Sequence, residues 1–288
     1  MATPLWTPEV PIGWDDKQAG GQLARTAEAF LRASGGGPWQ VLWCAGAGVT
    51  VTSREDLDLE LAMFERLLEG LSGGTADQRG SLFVASSAGG VYAGSHGAPF
   101  TEASPVRPLA PYGEVKLLLE QVARGWGESQ GVPVLIGRIA NLYGPGQRLG
   151  KQQGLVSMLC RAHLLREPIS LYVPLDTVRD YLYAPDCGQL VADCMGRLRT
   201  EGGVTVKVLA SQQAVTVGAL VGELRRLFKS PPPIVYGASA ASHFQARDLR
   251  LSSRVWSDLD HRALTPLPVG IKTTVLGLGR SLAAGCLV

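Results

Sequence analysis

The chain has 288 residues, a formal net charge of +2 at pH 7, 45% hydrophobic residues and 18% charged residues. This composition is typical of a soluble globular enzyme, and the length suffices for one large core or for a nucleotide-binding domain with a smaller lobe. Because the basic residues are scattered, the composition argues against a nucleic-acid partner. The N-terminus lacks a signal-peptide pattern and no apolar run reaches membrane-spanning length, so we predict a cytoplasmic protein with no membrane partner.

The cysteines and histidines lack the spacing of metal or redox motifs. The five cysteines are odd in number and contain no C-x-x-C pair, and the four histidines are equally dispersed. We therefore predict buried thiols in a reducing compartment and no metal site. The residues concerned are Cys44, Cys160, Cys187, Cys194, Cys286, His96, His163, His243 and His261.

The first part of the chain predicts an irregular lead-in followed by a helix and a strand. Residues 1–14 contain prolines and tryptophans without periodicity. Apolar residues recur at helical spacing over residues 22–31, and the glycines at 35–37 end that helix. Residues 40–48 form a short apolar run that ends in small residues, which is typical of a buried strand.

A second helix and a second buried strand follow. Ser53 is a candidate N-cap with Asp56 three positions later, and apolar residues recur at three- and four-residue steps over 57–71. The apolar run 81–92 ends in hydroxyl-bearing residues and glycines, as a buried parallel strand opening into a site would.

Tyr112 and Lys116 begin the next helical segment, four positions apart and therefore one turn apart on one helix face. A free phenol has a pKa near 10, which is too high for a proton acceptor at neutral pH. A cation one turn away favours the phenolate and makes the pair an acid–base device. The same spacing also fits an ordinary surface tyrosine and lysine, so the surrounding motifs must decide between these two interpretations.

Further elements alternate along the rest of the chain. The patterns predict strands at 132–136, 169–173 and 204–209, and helices at 154–166, 187–198 and 217–228. The prolines at 231–233 end the last of these helices.

Four segments, at residues 81–92, 111–116, 137–147 and 178–186, resemble in this order the extended short-chain dehydrogenase/reductase family, specifically its NAD-dependent nucleotide-sugar epimerases and dehydratases. The likeness extends from about Trp39 to about Thr274. It implies an α/β fold, a Rossmann-like doubly wound parallel sheet that is shortened at its N-terminus, with a small C-terminal substrate-binding lobe. The implied division is interwoven, with residues 1–150 and about 175–212 binding the dinucleotide and about 151–174 and 213–288 forming the lobe.

One part of the family pattern is missing from the sequence. A dinucleotide-binding fold should open with a strand, a glycine-rich turn and a helix, and neither Gly20-Gly21 nor the glycines at 35–37 have the spacing of that turn. The roughly forty residues ahead of Trp43 have room for one helix but not for a further β-α-β unit. We therefore expect the first β-α-β to be absent, either because the reading frame starts downstream of the true start or because part of the cofactor cradle has been lost.

The resemblance implies roles for seven residues. Tyr112 would take a proton from a sugar hydroxyl, Lys116 would lower the phenol pKa and bind the nicotinamide ribose, and Ser87 would bond the same sugar oxygen, with Ser86 as its alternative. Ala45 and Gly46 would lie against the cofactor, although a plain strand-to-turn junction explains them equally well. Asn141 and Arg179 would bind the substrate diphosphate.

Other residues near these motifs argue against one reaction or are expected to have structural roles. Ala88, Gly89 and Gly90 stand where sugar-nucleotide 4,6-dehydratases carry an Asp-Glu pair, so elimination of water is disfavoured. Arg138 is expected to anchor the sheet through a carboxylate such as Asp180 or Asp186. Glu102 and Glu114 are expected to be structural.

Two hypotheses follow from the sequence. The first is an NAD- or NADP-dependent epimerase or oxidoreductase of a sugar nucleotide, with NAD favoured. By resemblance, it would be a homodimer formed through helix 57–71 and the Tyr112 helix. The alternative is a non-catalytic binding protein or truncated relic without a working cofactor site.

Overall fold

The computed structural model describes residues 5–14, 18–46, 48–73, 80–147, 154–237 and 246–285. The helices are α1 (Ala19–Ala33), α2 (Arg54–Ser72), α3 (Ala88–Val91), α4 (Pro111–Gln130), α5 (Leu155–Leu165), α6 (Ala184–Glu201), α7 (Val217–Leu227) and α8 (Leu267–Ala283), with a 3-10 turn at Ser257–Asp260. The strands are β1 (Trp39–Trp43), β2 (Gly80–Ser87), β3 (Val134–Ile139), β4 (Asn141–Tyr143), β5 (Ile169–Leu171), β6 (Val178–Arg179), β7 (Tyr181–Tyr183), β8 (Val204–Leu209), β9 (Val215–Thr216), β10 (Ile234–Tyr236) and β11 (Asp248–Leu249).

A four-stranded parallel sheet in the order β1-β2-β3-β8 forms the centre of the molecule. Its two inner strands are almost wholly buried, which is why they appear in the sequence as continuous apolar runs rather than as alternating ones. The parallel α/β architecture predicted from the sequence is confirmed.

Helices cover both faces of this sheet. Successive strand side chains point to opposite faces, so Leu82 and Val84 of β2 pack with α1, α2 and α4, while Phe83 packs on the side of α6. The helices therefore bury the sheet between two apolar layers, as a doubly wound fold requires.

The first two helices begin and end near the predicted positions. Gly35 and Gly36, which follow α1, have φ values of 58° and 78°, a backbone conformation that glycine adopts without steric cost. At the start of α2 the Ser53 hydroxyl accepts the Asp56 backbone N–H at 3.2 Å, as predicted.

A separate apolar cluster joins the later elements. It combines residues of α5, α7 and α8 with Tyr143 and Tyr181, and the short parallel pair β5–β10 borders it. The sequence predicts a small lobe in this region but gives no helix at residues 267–283. The domain division stays a prediction.

The sheet ends at β1, which pairs with β2 alone. Within residues 5–14 and 18–38 the structure contains α1 and no strand. The absence of a glycine-rich opening unit stays a prediction from sequence. Cys286, His243 and the Asp15-Asp16 pair lie outside the described residues.

Two further features of the described chain bear on the predicted function classes. None of its helices combines the length and the apolar character needed to cross a bilayer. Nor does any group of three His, Cys, Asp or Glu side chains in that part of the chain come together as metal ligands would.

Candidate functional site

The carboxyl ends of β1, β2 and β3 and the first turn of α4 open into one cavity of about 610 Å³. Parallel strands bring their carboxyl ends to the same edge of a sheet, so segments far apart in sequence meet there. All seven residues predicted for the site line this cavity: Ala45, Gly46, Ser87, Tyr112, Lys116, Asn141 and Arg179.

Ser87 and Tyr112 form the centre of the site. Ser87 ends β2, and its Oγ accepts the Gly90 backbone N–H at 3.2 Å, which leaves the hydroxyl proton available for another acceptor. That hydroxyl hydrogen-bonds to the Tyr112 phenol and lowers its pKa. Burial outweighs this effect, and the negative charge of Glu60 adds to burial, so the pKa of Tyr112 lies above its ordinary value.

Lys116 lies on the same face of α4, with its Nζ 5.7 Å from the centroid of the Tyr112 ring. Burial lowers the pKa of Lys116, and Glu60 opposes that shift. The sequence predicts that Lys116 depresses the phenol pKa; the pKa of Tyr112 nevertheless lies above its ordinary value, and the effect of Lys116 on it stays a prediction. The phenol is buried so deeply that desolvation dominates, and it is the Ser87 hydrogen bond that opposes it.

Glycines allow α3 to approach α4. A Cβ on Gly113 would lie 2.3 Å from the Gly90 carbonyl oxygen, and a Cβ on Gly90 would lie 3.0 Å from Cε1 of Tyr112. Side chains at these positions would push the phenol away from Ser87. This contact favours glycine at position 90, whereas a Cβ on Gly89 would meet only Ser87 Oγ, at 3.9 Å.

A second glycine contact lies at the end of β1. Gly46 has a φ of 135°, and a Cβ there would come within 3.0 Å of Glu60 Oε2 and 3.6 Å of Lys116 Nζ. The backbone of Gly46 therefore borders the cavity beside the lysine without a side chain of its own.

Asn141 and Arg179 belong to other strands that border the cavity. The Asn141 side chain donates to the Asp180 carbonyl at 3.2 Å, and Arg179 Nη1 donates to the Val178 carbonyl at 2.9 Å. Arg179 is 8% exposed, and burial lowers its pKa. Tyr181, on the adjacent β7, also lines the cavity, and burial raises the pKa of its phenol to about 12.

Arg138 does not bind Asp180 or Asp186, so the partner predicted from the sequence is wrong. Its guanidinium instead forms a buried ion pair with Glu120 of α4, with an Nη2–Oε2 distance of 2.7 Å. Nη1 of Arg138 also donates to the Tyr92 hydroxyl at 2.8 Å. The structural role is as expected, but the carboxylate comes from α4 rather than from the segment that contains Asp180 and Asp186.

Glu102 and Glu114 have the structural contacts predicted for them. Oε1 of Glu102 accepts the Val208 backbone N–H at 2.8 Å and the Ser253 hydroxyl at 2.7 Å, which ties β8 to the C-terminal segment. Glu114 pairs with Arg54 of α2 on the surface.

Sequence reasoning missed Glu60 and misassigned Cys44. Glu60 Oε1 accepts the Gly48 backbone N–H at 2.5 Å, which fixes the loop after β1. Its helical position four residues before Phe64 gives no sequence signal for this role. Cys44 lines the cavity as an exposed free thiol, so the prediction of buried cysteines is wrong there, whereas Cys160, Cys187 and Cys194 are buried as predicted.

Residues 26–204 match the NAD dependent epimerase/dehydratase family. The chain belongs to this family. Membership agrees with the sheet order, with the Ser87–Tyr112–Lys116 grouping at its edge, and with the resemblance in the sequence.

Two curated members of the NAD dependent epimerase/dehydratase family are similar to part of the chain. An uncharacterised UDP-glucose epimerase of Bacillus subtilis, YtcB, is 27% identical over 62% of this chain and 52% of its own length. The dTDP-4-dehydro-6-deoxyglucose reductase of Escherichia coli is 29% identical over 66% of this chain and 58% of its own length. The chain thus spans just over half the length of the curated relatives it matches.

A solved structure extends the likeness to the fold. MoeE5 in complex with UDP-glucose and NAD superposes with a TM-score of 0.72 and 28% identity, over 84% of this chain and 80% of MoeE5. The likeness therefore includes both the sheet and elements of the small lobe.

Proposed function

We propose that this chain carries the catalytic residues of an NAD-dependent epimerase or oxidoreductase that acts on a sugar nucleotide. The observation that supports this most strongly is the shared cavity. A phenol hydrogen-bonded to Ser87 and flanked by the Lys116 ammonium faces the same space as the Asn141 amide and the Arg179 guanidinium. One end of the cavity can thus move a proton, and the other can bind anionic oxygens.

Residues at the end of β1 would hold the cofactor. Gly46 leaves room beside Lys116, and Ala45 borders the same space, so the nicotinamide ribose end fits against them. Lys116 would donate to a ribose hydroxyl. When bound, NAD supplies the site that accepts and returns hydride.

Tyr112 would remove the proton from the reacting sugar hydroxyl, and Ser87 would donate to the same oxygen. Before substrate binds, the single Ser87 hydroxyl proton is donated to the phenol and favours the phenolate. With substrate bound, that proton would be donated to the sugar oxygen instead, and the Lys116 cation beside the ring would then favour the phenolate. Arg179 would bind the diphosphate through its planar fork, with Asn141 beside it. Elimination of water is not part of the proposal, since Ala88, Gly89 and Gly90 provide no acidic or basic side chain in the turn after β2.

The test uses purified protein with NAD and a panel of UDP- and dTDP-sugars. We expect saturable NAD binding in calorimetry, and turnover that falls by about 10² or more in Tyr112→Phe, the range expected for loss of a general base. The variant should still bind NAD. Undiminished turnover in Tyr112→Phe would reject the assigned base.

A second candidate is a protein that binds sugar nucleotides without turnover. It draws support from the described residues ahead of β1, which contain α1 but no strand, turn and helix to hold a pyrophosphate. Binding of a UDP-sugar without measurable affinity for NAD would favour this candidate over the enzyme.

The proposal includes a homodimer built on the outer faces of α2 and α4. This interface follows from the family resemblance, and Leu59, an apolar side chain on α2 that is 61% exposed, is a position at which an added charge probes it. Light scattering of the wild type and of Leu59→Glu tests this. A mass that is unaffected by the added charge would count against this interface.

A further inference from the structure

Glu60 lies behind the cavity wall, next to the lysine that the proposed function assigns to the cofactor. It comes from the middle of α2 and is half-buried. Its two carboxylate oxygens face the loop after β1. Oε1 accepts the Gly48 N–H at 2.5 Å, and Oε2 would lie 3.0 Å from a Cβ on Gly46.

Lys116 approaches the same glycine. Its Nζ would lie 3.6 Å from that Cβ, so the ammonium and the carboxylate both lie on the side-chain face of Gly46. Among the residues that line the cavity are Lys116, Gly46 and Gly48, whereas Glu60 stands behind them. A carboxylate in this place does not contact the reacting groups. It acts on them indirectly, by positioning Lys116 and the loop after β1.

We infer that Glu60 is a positioning residue: anchored by the Gly48 N–H, its carboxylate holds the Lys116 ammonium at the wall of Gly46 and keeps it protonated. The groups that face Lys116 are Glu60 of α2, Cys44 after β1 and Tyr112 of its own helix. Of these, Glu60 is the one that has a carboxylate, and it comes first among the groups that oppose the effect of burial on Lys116.

The electrostatic balance supports this role. Burial by itself would favour the neutral amine, and Glu60 is the largest opposing influence on the pKa of Lys116. A neutral amine would lose the charge that makes it a strong donor to a hydroxyl. The inference rests on the proposed function in one respect, which is that the Lys116 ammonium binds a hydroxyl of the cofactor.

Glu60→Gln removes the negative charge of the side chain but keeps its size and shape. A glutamine oxygen can still accept the Gly48 N–H, so the loop keeps its anchor while the negative charge is lost. The matched control is Glu65→Gln, which removes an exposed carboxylate from the same helix.

The measurement is site-specific labelling of lysine by acetic anhydride under limiting reagent, read by mass spectrometry across a pH series, without cofactor or substrate. Only the neutral amine reacts, so the rate reports the protonation of Lys116. Exposed Lys272 normalises the rates, and fully buried Lys207 reports unfolding.

We expect Glu60→Gln to raise the normalised labelling rate of Lys116 near neutral pH on the order of tenfold, and Glu65→Gln to leave it unchanged. Equal rates in wild type and Glu60→Gln would overturn the inference. If Lys207 becomes reactive in Glu60→Gln, Glu60→Asp decides. Its side chain is shorter but keeps the charge, so the labelling rate of Lys116 should stay close to that of the wild type; a rise of about tenfold or more with Lys207 still unreactive would overturn the role.

The outcome is independent of whether the protein turns over a sugar nucleotide. Labelling is done without NAD, so a chain that fails to bind NAD still gives the Lys116 result. Failure of the proposed function would appear in calorimetry with the labelling pattern intact, and failure of the Glu60 role would appear in the labelling alone.

Discussion

The Ser86 hydroxyl donates to Oε1 of Glu120 at 2.5 Å, on the opposite side of the strand from the phenol that Ser87 contacts. Neighbouring strand residues point to opposite faces. Ser86 is thereby committed to the buried Glu120–Arg138 pair, and Ser87 is left for Tyr112. The sequence leaves the choice between the two serines open, and this contact supports Ser87.

Ser87→Ala should raise the pKa of Tyr112 further. The Ser87 hydrogen bond favours the phenolate, so its loss shifts ionisation of Tyr112 to higher pH. The absorbance of tyrosinate during an alkaline titration measures this, with Tyr112→Phe subtracted to isolate the one phenol. The control is Ser86→Ala, for which the Tyr112 titration should stay in place. A shift of the same size in both variants would contradict the assignment.

Replacing Glu120 with glutamine should destabilise the fold strongly. The Arg138 and Glu120 side chains are 10% and 7% exposed, so the variant leaves a buried guanidinium without its counter-charge. We expect a loss of about 3–5 kcal/mol in the free energy of unfolding, from urea denaturation. The double variant Glu120→Leu with Arg138→Met removes both charges and should lose less than Glu120→Gln. A double variant less stable than the single one would contradict this account.

Two glycines of α4 should respond oppositely to alanine. At Gly113 the new Cβ would lie 2.3 Å from the Gly90 carbonyl oxygen, so Gly113→Ala should cost about 1–3 kcal/mol of stability and reduce turnover by displacing Tyr112. At Gly125 a Cβ meets nothing within 4 Å. Gly125→Ala should therefore stabilise by about 0.5–1 kcal/mol through helix propensity. Thermal unfolding of both variants checks the pair, and destabilisation by Gly125→Ala would count against it.

Arg179→Met should weaken binding of a sugar nucleotide while leaving NAD affinity unchanged. Loss of charge-assisted hydrogen bonds to a diphosphate costs about 1.5–3 kcal/mol, which corresponds to roughly 10- to 150-fold in Kd. Calorimetry with UDP-glucose and with NAD on the same protein measures both affinities. A parallel loss of both would assign Arg179 to the fold rather than to the substrate.

The sequence predicts most of the sheet and of its helices because their signals are local. The apolar run before Ser87, the Ser53 cap and the spacing from Tyr112 to Lys116 each lie within about two helical turns or one strand. Helix α8 is the main omission. Its one proline and three glycines mask a helical period that packs through Ile271 and Leu278 onto α5 and α7.

Through its resemblance to a known family, the sequence predicted the parallel α/β class and seven of the residues that line the cavity, but not the order of the strands in the sheet. These residues meet because parallel strands bring their carboxyl ends to one edge. Only the tertiary structure decided which side chains hold these residues in place and which groups shift their pKa values. Arg138 pairs with Glu120, and Glu60 reaches the Gly48 loop 12 residues earlier and Lys116 on another helix. Burial then raises the pKa of Tyr112 where spacing alone predicts a fall. Such effects depend on which distant side chains share a desolvated space, and that is set only when the helices pack on the sheet.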